Sequence, residues 1–185
     1  MPFILILIIL ALLTESFATS WYSGAVHSKV SEKPPYGLPP SLALIKSVVF
    51  ALGIISGRLG SVALPWYYTT MAYALMFIIG LKLITETMRF HPEERIVLVD
   101  NNKTLLILSV AGSFNTLFIG ISLGLIGTGI WAPVLTMFAG TLVFSFISLY
   151  LGKKYGLRPF IRLAGIAAGS LIAFVALRFF VLYFI

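Results

Sequence analysis

Six long apolar segments alternate with short polar stretches along the chain. Each has room for the roughly 20 residues with which a helix crosses a bilayer. The pattern therefore predicts an all-α integral membrane protein with six transmembrane helices. The segments are residues 2–22, 41–59, 65–88, 103–126, 131–151 and 159–184.

The polar stretches between these segments predict the connections. Residues 28–40 are rich in proline, which ends helices, and Ser41 after them is a plausible N-cap. Residues 89–102 form the main charged loop, and their central "RIVLVD" could form a short strand or an interfacial segment. Residues 152–159 read as a tight basic turn.

Composition supports lipid as the main solvent. Of the 185 residues, 59% are apolar and 10% are charged, and the mean hydropathy is +1.05. A soluble domain of this size cannot bury the apolar surface that such a composition creates. The net charge of +7 comes from basic residues between apolar segments rather than on one face. That pattern indicates a lipid bilayer and not nucleic acid as partner. The chain has no cysteine, which excludes disulfides and thiolate metal sites.

The distribution of basic residues predicts the orientation. If the N-terminus lies outside the cytoplasm, all of the 13 lysines and arginines except Arg58 and Arg178 fall on the cytoplasmic side. Both termini are then outside. Arg58, Lys82 and Arg178 lie near helix ends, where long basic side chains reach the headgroups. A cleaved signal peptide is the alternative for the first segment, because "ESFATS" offers small residues, but no positive region precedes it.

An internal repeat relates the two ends of the chain. Setting "LTESFATSWYSG" over "SFNTLFIGISLG" places Glu15 on Asn115, one hundred residues later. The chain then divides into a three-helix repeat at 1–88, a cytoplasmic connecting loop at 89–102 and a second repeat at 103–185. Because three is odd, the second repeat would insert upside down, as in secondary transporters whose substrate site lies near the midplane between the repeats.

Glu15 and Asn115 are candidate ligands for a cation. An acidic side chain at a helix centre costs about 2.5–3.5 kcal/mol, so it needs a partner or a function. Thr19 shares a helix face with Glu15, and Thr116 follows Asn115. Oxygen donors without cysteine suit a hard cation such as Mg²⁺ or Mn²⁺. The alternative is a hydrogen bond between Glu15 and Asn115 that only joins the halves.

Other sequence features add less. Glu86, near the cytoplasmic end of the third segment, is either a gate where the cation enters or part of a solvated helix end. No phosphate-binding G-x-x-x-x-G-K-[ST] occurs, so coupling to ATP within this chain is not expected. No cofactor is expected, and a homo-oligomer is compatible with the sequence.

The stretches "TESFATSWYSG", "SFNTLFIGISLGL" and "GLKLITETMR" resemble motifs of the MntP-type manganese efflux pump family, within the lysine-exporter superfamily. The resemblance covers essentially the whole chain. It implies a six-helix exporter of Mn²⁺, with the metal as substrate, in the bacterial inner membrane. The chain departs from the family pattern in three places. Glu15 and Asn115 stand where the family has aspartates, and an aliphatic residue near Ile54 replaces a glutamate.

The predicted mechanism is secondary transport. A divalent cation would enter from the cytoplasm, bind Glu15 and Asn115 with Thr19 and Thr116 nearby, and leave outward as the two halves rock, with Glu15 exchanging its proton for the metal. One alternative is export of another small solute, such as an amino compound, and another is a non-transporting membrane scaffold. An intramembrane enzyme is least favoured, since no His or Cys lies within a predicted span.

Overall fold

A computed structural model of the chain describes residues 2–30, 36–63, 67–88, 107, 109–156 and 160–184. All regular structure in these residues is helical. Five helices are long and apolar enough to cross a membrane, so the chain is a multi-pass helical membrane protein. The helices are α1 (Pro2–Val30), α2 (Leu38–Ala63), α3 (Tyr68–Met88), α4 (Phe114–Leu125), α5 (Trp131–Tyr155) and α6 (Phe160–Phe184).

The first two helices extend beyond their predicted ends, into the proline-rich stretch. α1 continues to Val30 and α2 begins at Leu38. Pro39 and Pro40 lie in the first turn of α2, where a backbone N–H has no intrahelical acceptor and proline is tolerated. The prediction of Ser41 as the N-cap is therefore wrong: Ser41 lies inside the helix and donates a hydrogen bond to the carbonyl of Leu38.

The fourth predicted segment is described only in part. A turn at Gly112 and Ser113 separates the helical residues 109–111 from α4. The described stretch Ser109–Leu125 is apolar but shorter than the other five helices. The connecting loop at 89–102, with its predicted strand, lies outside the described residues.

The six helices form a closed ring. Each helix packs mainly on two neighbours, in the order α1, α5, α2, α4, α3, α6 and back to α1. Helices from the N-terminal and C-terminal halves of the chain therefore alternate around the ring. In this order α1 lies opposite α4, so side chains from these two helices can meet at the centre.

Two neighbouring pairs in the ring are packed backbone against backbone. Between α2 and α4, a Cβ at Gly57 would overlap the carbonyl of Ile121. Between α1 and α5, a Cβ at Gly152 would overlap the carbonyl of Trp21. Small residues allow this close approach, which increases the van der Waals contact between the two helices. Such contact matters in lipid because the hydrophobic effect does not drive helices together there. The indole nitrogen of Trp21 also donates to the carbonyl of Gly156 at 2.8 Å.

Pairs of glycines four residues apart lie at helix contacts in three places. Gly53 and Gly57 lie against the backbone of α4, Gly120 and Gly124 lie against α2, and Gly165 and Gly169 lie against α3. The register of these contacts also gives relative direction. Gly80 lies beside Ala173 and Gly165 beside Thr87, so α3 and α6 run antiparallel.

Apolar side chains fill much of the ring interior. Leu12, Phe50, Ile119 and Met137, from four different helices, are completely buried in one cluster. Because the ring encloses this cluster, a polar group that reaches the centre is surrounded by packed apolar atoms rather than by lipid. The arrangement creates the environment in which the candidate site lies.

Candidate functional site

Glu15 and Asn115, the two residues singled out from the sequence, are in contact. Glu15 lies midway along α1, and Asn115 is the second residue of α4. The Asn115 side-chain nitrogen donates to the Glu15 carboxylate at 3.2 Å. Since α1 and α4 are opposite members of the ring, this hydrogen bond crosses its centre.

A buried lysine occupies the other oxygen of Glu15. The ammonium of Lys46, from α2, lies 3.3 Å from Glu15 Oε2. The Lys46 side chain is 1% exposed, and an ammonium buried to this degree requires an anionic partner. Glu15 therefore already holds a positive group that belongs to the chain itself.

Two charged residues near the end of α3 complete the cluster. The Lys82 ammonium donates to the side-chain oxygen of Asn115 at 2.9 Å and lies 3.3 Å from Glu86. The Asn115 nitrogen also lies 3.4 Å from Glu86. We call this cluster the Glu15 network; its members are Lys46, Glu15, Asn115, Lys82 and Glu86.

The network is neutral and opens toward one end of the ring. Its two carboxylates balance its two ammonium groups. Exposure rises from Lys46 at 1% through Glu15 at 18% to Lys82 at 41% and Glu86 at 50%. The network is thus reached from the C-terminal end of α3, and its depth increases toward α2.

The two predicted threonine ligands do not join these contacts. The Thr19 hydroxyl donates to the backbone carbonyl of Glu15 at 3.0 Å. Thr116 is fully buried next to Asn115, and within the described part of the chain its hydroxyl has no hydrogen-bond partner. The same holds for four further buried hydroxyls: Ser16, Ser20, Thr141 and Ser145.

The donor set has the chemistry of a hard-cation site. Glu15, Glu86 and Asn115 present carboxylate and amide oxygens, the ligands that Mg²⁺ and Mn²⁺ prefer. Among the described residues, no three His, Cys, Asp or Glu side chains cluster closely enough to hold a metal. A cation here would depend on two carboxylates and on the Asn115 oxygen, which now accepts from Lys82.

A separate apolar cavity of about 480 Å³ lies nearer the other end of the ring. Its wall includes Ile8, Met76 and Leu123, which are also members of the buried core. Glu15 lies seven positions after Ile8 along α1, about 10 Å of helix. The cavity and the Glu15 network therefore lie on opposite sides of packed apolar side chains.

We call the barrier between them the apolar layer. It consists of Leu12, Met76, Ile79 and Ile119, each at most 4% exposed. Leu12 precedes Glu15 by less than one turn of α1, and Ile119 follows Asn115 by about one turn of α4. The layer therefore closes the network on the cavity side.

Two lysines of the network were missed as site residues in the sequence. The charge distribution predicts a cytoplasmic side for Lys46 and assigns it no part in the site, and the prediction for Lys82 is contact with the headgroups; in the structure both lysines contact site residues. Arg58 was also expected at the headgroups, but its guanidinium donates twice to the carbonyl of Thr128, at 3.1 and 2.5 Å. The signal for Lys46 in the sequence is its position, since this basic residue lies several residues inside an apolar segment.

Comparison with known proteins identifies the family of the chain. Residues 38–180 match the model of the family Mntp, described as "Putative manganese efflux pump". The chain belongs to this family. No solved structure gives a significant match.

The relatives carry the same description. The chain is 31% identical over 159 residues to the "Putative manganese efflux pump MntP" of Methanothermobacter thermautotrophicus, covering 82% of this chain and 81% of that protein. It is 28% identical to the Clostridium botulinum protein of the same name, covering 96% and 92%. The match to the Methanosarcina mazei protein, also so named, is 29% identical over 147 residues.

Proposed function

We propose that the chain is a secondary transporter that exports a divalent cation, with Mn²⁺ as the first candidate, through the Glu15 network. The observation that carries the proposal is the contact between Glu15 and Asn115 across the centre of the ring. Two polar side chains from opposite helices meet on the axis of the ring, in the path of any substrate that moves along this axis. Manganese comes from the names of the relatives and fits the hard oxygen donors of the network.

Binding of a dication requires the network to rearrange. The network is neutral with both lysines in place, so adding a dication would bury two uncompensated positive charges, which costs several kcal/mol per ion. Lys82 must release the Asn115 oxygen and Lys46 must release Glu15. Glu15 and Glu86 then neutralise the metal, and Asn115 supplies a further oxygen.

The inverted repeat is part of the proposal. If residues of α1 correspond to those of α4 one hundred later, and residues of α2 to those of α5 ninety-five later, the contact of Gly152 with Trp21 maps onto the contact of Gly57 with Ile121. The contact of Gly24 with Leu149 likewise corresponds to that of Gly124 with Ile54. The antiparallel packing of α3 on α6, its counterpart, supports opposite insertion of the two repeats.

We infer the direction of transport from access and charge. The exposed end of the network, at Lys82 and Glu86, faces the side that the basic residues assign to the cytoplasm. The apolar layer closes the path to the other side. The described state is thus one that loads from the cytoplasm, with both termini outside the plasma membrane.

The moving parts would be helix pairs rather than the two halves of the sequence. The pairs α1–α5 and α2–α4 each combine one helix from either half through backbone contacts. We infer that these pairs shift against each other to open the apolar layer, since sliding within a pair would break its closest contacts.

The experiment is Mn²⁺ transport in everted membrane vesicles, together with the manganese tolerance of cells that produce the protein. Glu15→Gln is expected to abolish both when each is normalised to the amount of folded protein in the membrane. Thr14→Val is the matched control, because Thr14 neighbours Glu15 but its hydroxyl donates to the carbonyl of Ala11. Unchanged export by Glu15→Gln would contradict the proposal and favour a membrane scaffold.

A second candidate substrate is a small organic amine. The observation that favours it is that Glu15 holds a primary ammonium group, that of Lys46. A substrate amine could take the place of this ammonium with no change in the charge of the network. Competition by primary amines against Mn²⁺ uptake, or amine uptake in place of Mn²⁺ uptake, in the same vesicles separates the two candidates.

A further inference from the structure

We propose that Lys46 is a built-in counter-cation that competes with the transported cation for the carboxylate of Glu15. This inference deepens the proposed function and rests on it. Its starting point is the pairing of the Lys46 ammonium with Glu15 Oε2 at 3.3 Å, in a side chain that is 1% exposed.

Burial distinguishes Lys46 from the second lysine of the network. Lys82 is 41% exposed and lies within the last two turns of α3, so its side chain can turn to water when a cation arrives. Lys46 lies in the third turn of α2, where its near neighbours in sequence are apolar except for Ser47. Its ammonium has no comparable route to water while α2 keeps its place.

A cation that reaches Glu15 therefore meets a positive charge that cannot leave by a side-chain rotation alone. Two like charges on one carboxylate repel strongly where the effective dielectric is low. The repulsion is relieved only if α2 moves away from α1. Because the glycine contacts join α2 to α4 and α1 to α5, such a movement separates the two helix pairs.

Lys46 then has two consequences for transport. It lowers the affinity of Glu15 for the cation, which favours release on the far side. It also links occupancy of Glu15 to movement of the α2–α4 pair. Removing the charge of Lys46 should strengthen binding and weaken transport, a combination that simple damage to the site would not produce.

The experiment measures Mn²⁺ binding by the purified full-length protein and Mn²⁺ transport by the same protein in vesicles. Lys46→Gln is expected to bind Mn²⁺ at least about tenfold more tightly than the wild type, with slower transport. Lys46→Arg keeps the charge and should bind as the wild type does. Lys154→Gln, which removes an exposed lysine in the last turn of α5 outside the network, is the control, for which we expect a change in affinity of less than about threefold.

Folding is checked by monodispersity and thermal unfolding of each variant. If Lys46→Gln does not fold, Lys46→Met, which keeps the volume of the side chain, takes its place with the same expected result. Affinity equal to or below that of the wild type in the folded neutral variant overturns the inference. So does an equal gain in Lys154→Gln, because the loss of any exposed positive charge would then have the same effect as the loss of the Lys46 charge.

The result is distinguishable from a failure of the proposed function. Wild-type transport of Mn²⁺ with no gain of affinity in the neutral variant rejects the role of Lys46 alone. Tight Mn²⁺ binding by the neutral variant, without wild-type transport, supports the role of Lys46 and rejects export. Absence of binding in every variant rejects the inference.

Discussion

Glu15 and Asn115 lie one hundred residues apart in the chain and on opposite helices of the ring, yet their side chains are 3.2 Å apart. The contact joins α1 to α4, which do not pack on each other as helices. Lys46 approaches Glu15 from α2, and Lys82 approaches Asn115 from α3. Four of the six helices are thus coupled through one set of polar contacts. A substitution of any residue in this set should alter the contacts that the other residues make.

Removing the charge of Glu15 should destabilise the protein as well as stop transport. Glu15→Gln leaves the Lys46 ammonium buried without an anion, which costs about 3–5 kcal/mol. The double variant Glu15→Gln with Lys46→Met removes both charges and should recover most of this loss. Reversible unfolding in mixed micelles measures the cycle. Equal stability of Glu15→Gln and wild type would show that the ion pair contributes nothing.

Asn115→Asp should strengthen Mn²⁺ binding. The substitution adds a third carboxylate beside Glu15 and Glu86, and a hard dication is held more tightly as the number of charged oxygen ligands rises. We expect a gain of about tenfold or more in affinity, measured by Mn²⁺ titration of the purified protein. Weaker binding together with lost transport would point to a substrate that is not a divalent metal.

A methyl group at Gly57 should disrupt the closest contact between α2 and α4. Gly57→Ala places its Cβ into the backbone of Ile121 and should lower the free energy of unfolding by about 1–3 kcal/mol. Gly60→Ala on the same helix is the control, because its Cβ would meet only the flexible end of Leu125 at ordinary distance. Equal effects of the two substitutions would contradict the described packing.

Cysteine labelling can test the apolar layer directly, since the chain contains no cysteine. Thr136→Cys, in the wall of the apolar cavity, should react with a membrane-impermeant thiol reagent added from outside. Thr85→Cys, exposed on α3 near Lys82, should react only in everted vesicles. Ile119→Cys, in the apolar layer, should be protected from both sides. Labelling of Thr136→Cys from the cytoplasmic side alone would reverse the predicted orientation.

Much of the site could be predicted from single residues, because the cost of a polar group in an apolar segment is local. Glu15 and Asn115 stand out from their neighbours in the sequence, and the predicted repeat relates one to the other. Glu86 was a weaker candidate, since a helix end accounts for an acid equally well. Its hydrogen bond to Asn115 is a tertiary contact that no local pattern reports.

The lysines were harder to predict because their chemistry lies at the end of a long side chain. A lysine ammonium can lie about 6 Å from its own backbone, so its partner depends on which helices are neighbours. Hydropathy marks where helices cross the bilayer but carries no information on the order α1, α5, α2, α4, α3, α6. For the same reason it located the apolar part of α1 but not the continuation of the helix to Val30.

The alternation of helices around the ring bears on how such a chain could assemble. No two helices of the same half pack closely as neighbours, so three consecutive helices made alone would have almost no interior of their own. The helices of each half acquire a packed interior only when they lie between the helices of the other half. We therefore expect neither half to be stable in the membrane without the other.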